Sequence, residues 1–129
     1  MTLAAVMWAA AALAGAIHVL FFCMESLWWT RPAVYRRFRS TETQAQATKQ
    51  LALNQGFYNL FLAAGVFGGL ALIGTGCLRA GMILVAWNCV SMLAAAVVLV
   101  VSSPRMMRGA VIQGLPPLIF LLAACARPG

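Results

Sequence analysis

Acidic side chains are nearly absent from this chain: its 129 residues hold two, Glu25 and Glu42, against nine Lys plus Arg. There is one histidine, His18, and the four cysteines (Cys23, Cys77, Cys89, Cys125) form no CxxC pair. Such scarcity leaves no ligand set for zinc or an iron–sulfur cluster, so no metal is expected. The dinucleotide GxGxxG motif, the P-loop and the GxSxG nucleophile elbow are missing too, and nothing supports nucleotide binding or serine hydrolysis. Only 9% of residues are charged while 64% are hydrophobic. A soluble domain of this length, being mostly surface, cannot bury that much apolar area. The basic residues flank apolar runs instead of forming a stripe with interleaved aromatics, so nucleic acid is not the expected partner.

What the chain does have is four apolar stretches, each near the roughly 20 residues that cross a bilayer. They cover about residues 3–29, 51–73, 81–101 and 110–126. Uninterrupted apolar runs lack the alternation of a barrel strand, and only helices or closed barrels can span. The expected fold is therefore an all-α integral membrane protein, a bundle of four transmembrane helices in one domain over residues 1–129, with the lipid bilayer as its first partner. The first run has no basic leader and continues past the small residues Ala14-Gly15-Ala16 into an aromatic stretch, which reads as a span and not as a cleaved signal.

Loop charge orients the bundle. Arg31, Arg36, Arg37, Arg39 and Lys49 lie between the first two spans and Arg105 and Arg108 between the last two, whereas the other side has Arg79 and Arg127. The positive-inside rule then puts the loop of about residues 30–50 in the cytoplasm and both termini on the outer side. In that loop, Arg31-Pro32 ends the first helix, and the segment VYRRFR reads as a short basic-aromatic piece lying on anionic headgroups, its arginines favoured as topology signals alone. From Ser40 onward, good helix formers behind a Ser/Thr cap are expected to extend the second helix into the cytoplasm.

The residues that do not belong in lipid mark the candidate site. Glu25 follows His18 by seven positions, so in an α-helix the two share a face about 10 Å apart along the axis. An ionisable pair within a span is costly to keep and is read by default as functional. The second span opens with Asn54-Gln55-Gly56-Phe57-Tyr58-Asn59, where Asn54 and Tyr58 share one face and Gln55 and Asn59 another. In the fourth span Gln113 precedes Pro116-Pro117, which frees backbone carbonyls and is expected to kink the helix. By depth, Glu25, Asn54, Gln55 and Gln113 fall near one level, with His18, Tyr58 and Asn59 one to two turns deeper. Asn88 and Ser91 lie nearer the outer side and read as interhelical hydrogen-bonders. Cys77 and Cys125 both fall near the outer face, where a disulfide is one option. Small residues form stripes that let helices approach: Ala11, Ala14 and Gly15 on the first, Gly65 and Gly69 on the second. These two helices are expected to pack face to face.

His18 followed by Glu25 and a Trp, then NQGFYN with LAAG after it, then VIQGLPPL in the last helix resembles an uncharacterised bacterial membrane family, domain of unknown function 1304. The resemblance covers nearly the whole chain, implies a four-helix protein of the bacterial inner membrane, and brings no activity with it. A looser similarity, of architecture only, is to the membrane-associated proteins of eicosanoid and glutathione metabolism. Those are short, trimeric four-span proteins with a basic first loop and a Gln-x-Pro pattern in the last helix. Gln113-Gly114-Leu115-Pro116 is an approximate counterpart, while LALNQGFYN replaces that family's charged and His-bearing motif.

Three functions fit these residues. One is binding or transport of a small amphipathic or lipid-like molecule by His18, Glu25, Asn54, Gln55, Tyr58, Asn59 and Gln113. Another is an integral-membrane enzyme that uses His18 and Glu25 for acid–base chemistry. The third is an accessory subunit. With no nucleophile or cofactor motif in the chain, binding or transport is the leading expectation. Four short helices enclose little volume, and the remaining stripes (Gly65, Gly68, Gly69; Ala94, Ala95, Ala96) predict a homo-oligomer, dimer or trimer.

Overall fold

In a computed structural model, which describes residues 2–126, helices account for nearly everything. Helix α1 (Leu3–Phe22) starts at Thr2, whose hydroxyl accepts from the Ala5 amide, and runs into a π-helical turn at Cys23–Leu27. A short α2 (Pro32–Tyr35), a 3-10 turn (Arg36–Phe38) and α3 (Glu42–Ala47) make up the first loop. Then follow α4 (Lys49–Gly74), α5 (Leu78–Ser102) and α6 (Met107–Ala126), the last entered through a 3-10 turn at Pro104–Met106. Four segments are long and apolar enough to cross a membrane: Leu3–Leu27, Lys49–Gly74, Leu78–Ser102 and Pro104–Ala126. Arg127, an outer-side charge in the topology argument, lies outside the described residues.

The spans form a closed ring. Each packs on its neighbours in the order α1, α4, α5, α6 and back to α1, leaving α1 and α5 on the diagonal. At the end holding the α4–α5 turn, Met7, Ala11, Ala14, Val66, Val85 and Phe120 are fully or almost fully buried against one another. Backbones approach most closely there. A Cβ on Gly69 would come within 2.9 Å of the Gly81 carbonyl oxygen, so only glycine fits. Asn88 lies over Gly65, where a Cβ would collide with its amide, and donates to its own helix at the Leu84 carbonyl (2.8 Å).

Small residues therefore seat α4 mainly on α5. The expected pairing of both stripes across α1 and α4 holds on one side only: Gly15 of α1 does face α4, at the Phe67 ring, but Gly65 and Gly69 face Asn88 and Val85 of α5. Ala96 is buried, with its Cβ against Gly114 of α6. Of the residues expected to hold copies together, Gly65, Gly69 and Ala96 serve packing within the chain. Cys77 and Cys125 are both free thiols.

The first loop folds back on itself. The Trp29 indole N–H donates to the Ala45 carbonyl (3.0 Å), its ring meets Phe38 edge to face at 5.1 Å, and Val34, Tyr35 and Ala45 are buried. The reversal needs Arg39 in the left-handed region, φ 59° and ψ 25°. Contrary to expectation, α3 is not a continuation of α4. Thr41 and Gln44 close a capping box at its start, and Thr48, at φ −102° and ψ 7°, breaks the helix before Lys49. Helix α6 is continuous through Pro116 and Pro117, both buried, so the chain accommodates them without interrupting the helix. Neither proline has an N–H to give to the carbonyls of Ile112 and Gln113.

Candidate functional site

Glu25 lies in the π turn, and that turn decides where its carboxylate goes. The Trp28 amide donates to the Cys23 carbonyl (3.0 Å), five residues back, which widens the helix by one residue. From this turn the Glu25 side chain reaches Asn59 of α4. Two side-chain bonds hold it there. Ser26 donates its hydroxyl to the Leu53 carbonyl (2.9 Å), and Asn59 donates its amide N–H to Glu25 Oε2 (2.7 Å). Gly56 makes the approach feasible, because a Cβ there would strike the Ser26 hydroxyl and come within 3.1 Å of the Phe22 carbonyl. Asn59 is buried and also donates to the Gln55 carbonyl (3.2 Å), so its rotamer is fixed from two sides.

Beyond the pair opens a cavity of about 550 Å³. Glu25, Gln55, Tyr58 and Asn59 line one wall and Gln113 another, with Leu62, Ala95, Val98 and Leu99 giving an apolar surface and Phe38 reaching over from the loop. All four spans contribute. Gln113 is half-buried and its amide lies 3.5 Å from the Met92 carbonyl, a long contact that leaves most of its hydrogen-bonding capacity unused. Tyr58 is 62% exposed, at the mouth. A cavity of this size, mostly apolar with a few convergent polar groups, is of the kind that takes a small molecule or part of a lipid.

Two sequence-expected residues are placed elsewhere. Asn54 is exposed and lines a neighbouring cleft under the loop, about 600 Å³, which shares Glu25, Gln55 and Tyr58 with the main cavity. His18 is fully buried and lines neither space. The expectation that His18 lines the same space as Glu25 is not met, since Glu25 lines both and His18 neither. His18 Nδ1 is 2.8 Å from the Ala14 carbonyl oxygen, which can only accept, so Nδ1 carries a proton and donates it. That Nε2 is buried without a hydrogen-bond partner. Phe21, which lines the cavity, meets the His18 ring edge to face at 5.8 Å.

Sequence reasoning missed Ser26, Phe38 and Ser102, the last of which lines the cavity from the end of α5. Ser26 had a signal, a hydroxyl beside the acid and a glycine on the facing helix. Phe38 had none, since its position depends on the reversal at Arg39. No group of three or more His, Cys, Asp or Glu among the described residues is placed to hold a metal ion.

Four mutually packed apolar helices around such a cavity define a multi-pass membrane protein with a helical bundle. The chain belongs to the family described as "Protein of unknown function (DUF1304)", whose model matches residues 12–125 and so includes every candidate residue named above. No curated protein and no solved structure matches it significantly.

Proposed function

We propose that the cavity binds or transports a small amphipathic or lipid-like molecule, with Glu25, Gln55, Tyr58, Asn59 and Gln113 as its polar contacts and Leu62, Val98 and Leu99 against its apolar part. One observation carries this reading: the carboxylate within a span is held by Asn59 at the wall of a cavity of about 550 Å³. A carboxylate kept only as a snorkelling charge would turn toward the loop arginines. The acid–base alternative has the unpartnered Nε2 of His18 in its favour but lacks a path, because His18 lines none of the space beside Glu25. The location that goes with this reading is a bacterial inner membrane, and the charge distribution of the loops supports both termini outside, which opens the cavity toward the cytoplasmic leaflet. Cysteines placed at positions 40–46, on a background without native cysteines, should react only with reagent added from the cytoplasmic side.

The test of the binding reading is retention of co-purifying amphipaths, read by mass spectrometry after mild extraction. Leu99→Trp fills the cavity and should abolish retention. Glu25→Gln keeps the shape and removes the charge, so retention should fall about tenfold while expression stays within twofold of the parent; tenfold corresponds to about 1.4 kcal/mol. Unchanged retention in both variants would defeat the proposal.

A further inference from the structure

Next to the polar cavity, and sharing Phe21, Phe38, Met106 and Gly109 with it, is a second cavity of about 530 Å³. Arg36, Arg37 and Arg39 line it from the loop, and Arg105 and Arg108 from the entry to α6. Neither acid of the chain lines it. Five exposed arginines border one space with no carboxylate among its lining residues, although the Arg37 Nε–H donates to the Ala33 carbonyl (3.3 Å), and like charges gathered this way repel one another. Topology does not demand this convergence, because the positive-inside rule counts charges in a loop wherever they point. Arg31 shows the other outcome: it lies over the Trp28 ring, 5.6 Å from its centroid, and is not among the residues lining this cavity.

The backbone at Arg39 is a second, independent observation. Arg39 is the one non-glycine residue with positive φ among those described. Glycine would adopt φ 59° without steric cost, whereas a side chain with a Cβ is disfavoured there. Strain of this sort persists where the residue type is needed for something other than the turn. Here the residue in that conformation is one of those lining the cavity.

We propose that the arginine cavity binds a phosphoryl group. The planar guanidinium fork matches phosphate oxygens in pairs, and basic pockets between membrane helices on the cytoplasmic side are suited to phosphate headgroups. Two sources supply that chemistry: the headgroup of an anionic lipid whose apolar part enters the adjoining cavity, or a soluble phosphate-bearing molecule. The lipid form rests on the amphipath reading given above and names its class.

The experiment titrates delipidated, full-length protein in neutral detergent with dioleoyl phosphatidylglycerol, dioleoyl phosphatidylcholine and inorganic pyrophosphate, followed by native mass spectrometry. Phosphatidylglycerol should bind about tenfold tighter than phosphatidylcholine, and Arg39→Gly should weaken it about fivefold, as expected for one arginine near an anionic headgroup. Arg39→Gly also relieves the strained backbone, so its melting temperature should equal or exceed the parent's, and lost binding cannot then be blamed on misfolding. Arg105→Gln should weaken phosphatidylglycerol similarly, whereas Arg31→Gln and Arg79→Gln should leave it unchanged. Pyrophosphate bound in an Arg39-dependent way, with no lipid retained, would assign the soluble source; the phosphoryl site would stand and the amphipath reading would fall. Equal retention of both lipids, lost in Leu99→Trp and indifferent to Arg39→Gly, would overturn the phosphoryl site and leave the amphipath reading intact. Equal losses in Arg31→Gln and Arg39→Gly would overturn it too, by showing a diffuse charge effect.

Discussion

Around the α4–α5 turn, Gly69 and Gly81 bring two helix backbones into contact, and Met7, Val66, Val85 and Phe120 close the centre of the bundle. Around the π turn, α1 still lies close on α4 at Gly56, but Glu25, Asn59 and Gln113 border about 550 Å³ of space. In lipid no hydrophobic force pulls helices together, so close packing of small residues is what seals one half. In the other half larger and polar side chains point inward, the π turn widens α1, and α6 carries two prolines. Tight packing and open space thus lie at opposite ends of the same helices. A cavity next to a rigid half keeps its shape without being filled, much as a site is best held by rigid supporting elements.

The difference is sharpest when one side chain is enlarged in each half. Gly69→Leu forces a branched group into the Gly81 backbone and should destabilise the bundle by about 3 kcal/mol or prevent its folding. Ala95→Leu, which faces the cavity, should change stability by about 0.5 kcal/mol or less. Thermal unfolding in one detergent checks both, and equal costs would erase the distinction between the halves. Deleting polar partners gives smaller effects. Asn59→Leu strips the Glu25 carboxylate of its donor in a dry setting and should cost about 2 kcal/mol. His18→Leu removes an unpartnered Nε2, and Ala14 keeps its backbone partner in the helix, so the change should be within about 0.5 kcal/mol. A large loss at His18 would mean that Nε2 has a partner in the membrane and is part of the working site.

Much of this was readable in the chain. The four spans declare themselves because an apolar run of that length has no other stable setting. Glu25, Gln55, Tyr58, Asn59 and Gln113 were found together because depth along a helix is fixed by its rise of about 1.5 Å per residue. Rotation is not fixed so firmly, and the misplacements are rotational. Glu25 lines the cavity and His18 does not, and nothing in CMESL distinguishes the π turn that carries Glu25 from an α-helical one. The partners of Gly65 and Gly69 were misassigned because a small stripe says that something comes close without saying which helix. The folded loop escaped because its key element is Arg39 in a conformation that sequence rules reserve for glycine or asparagine.

The pairing of Glu25 with Asn59 at the wall of an open cavity is the claim on which the rest depends. A high-resolution density map of the protein in lipid nanodiscs tests it directly. The account predicts the Glu25 carboxylate within hydrogen-bond distance of the Asn59 amide and elongated non-protein density running from that pair toward Leu99. Glu25 turned out to Arg31 or the headgroups, or Leu62 and Leu99 packed together with no space between the helices, would contradict it.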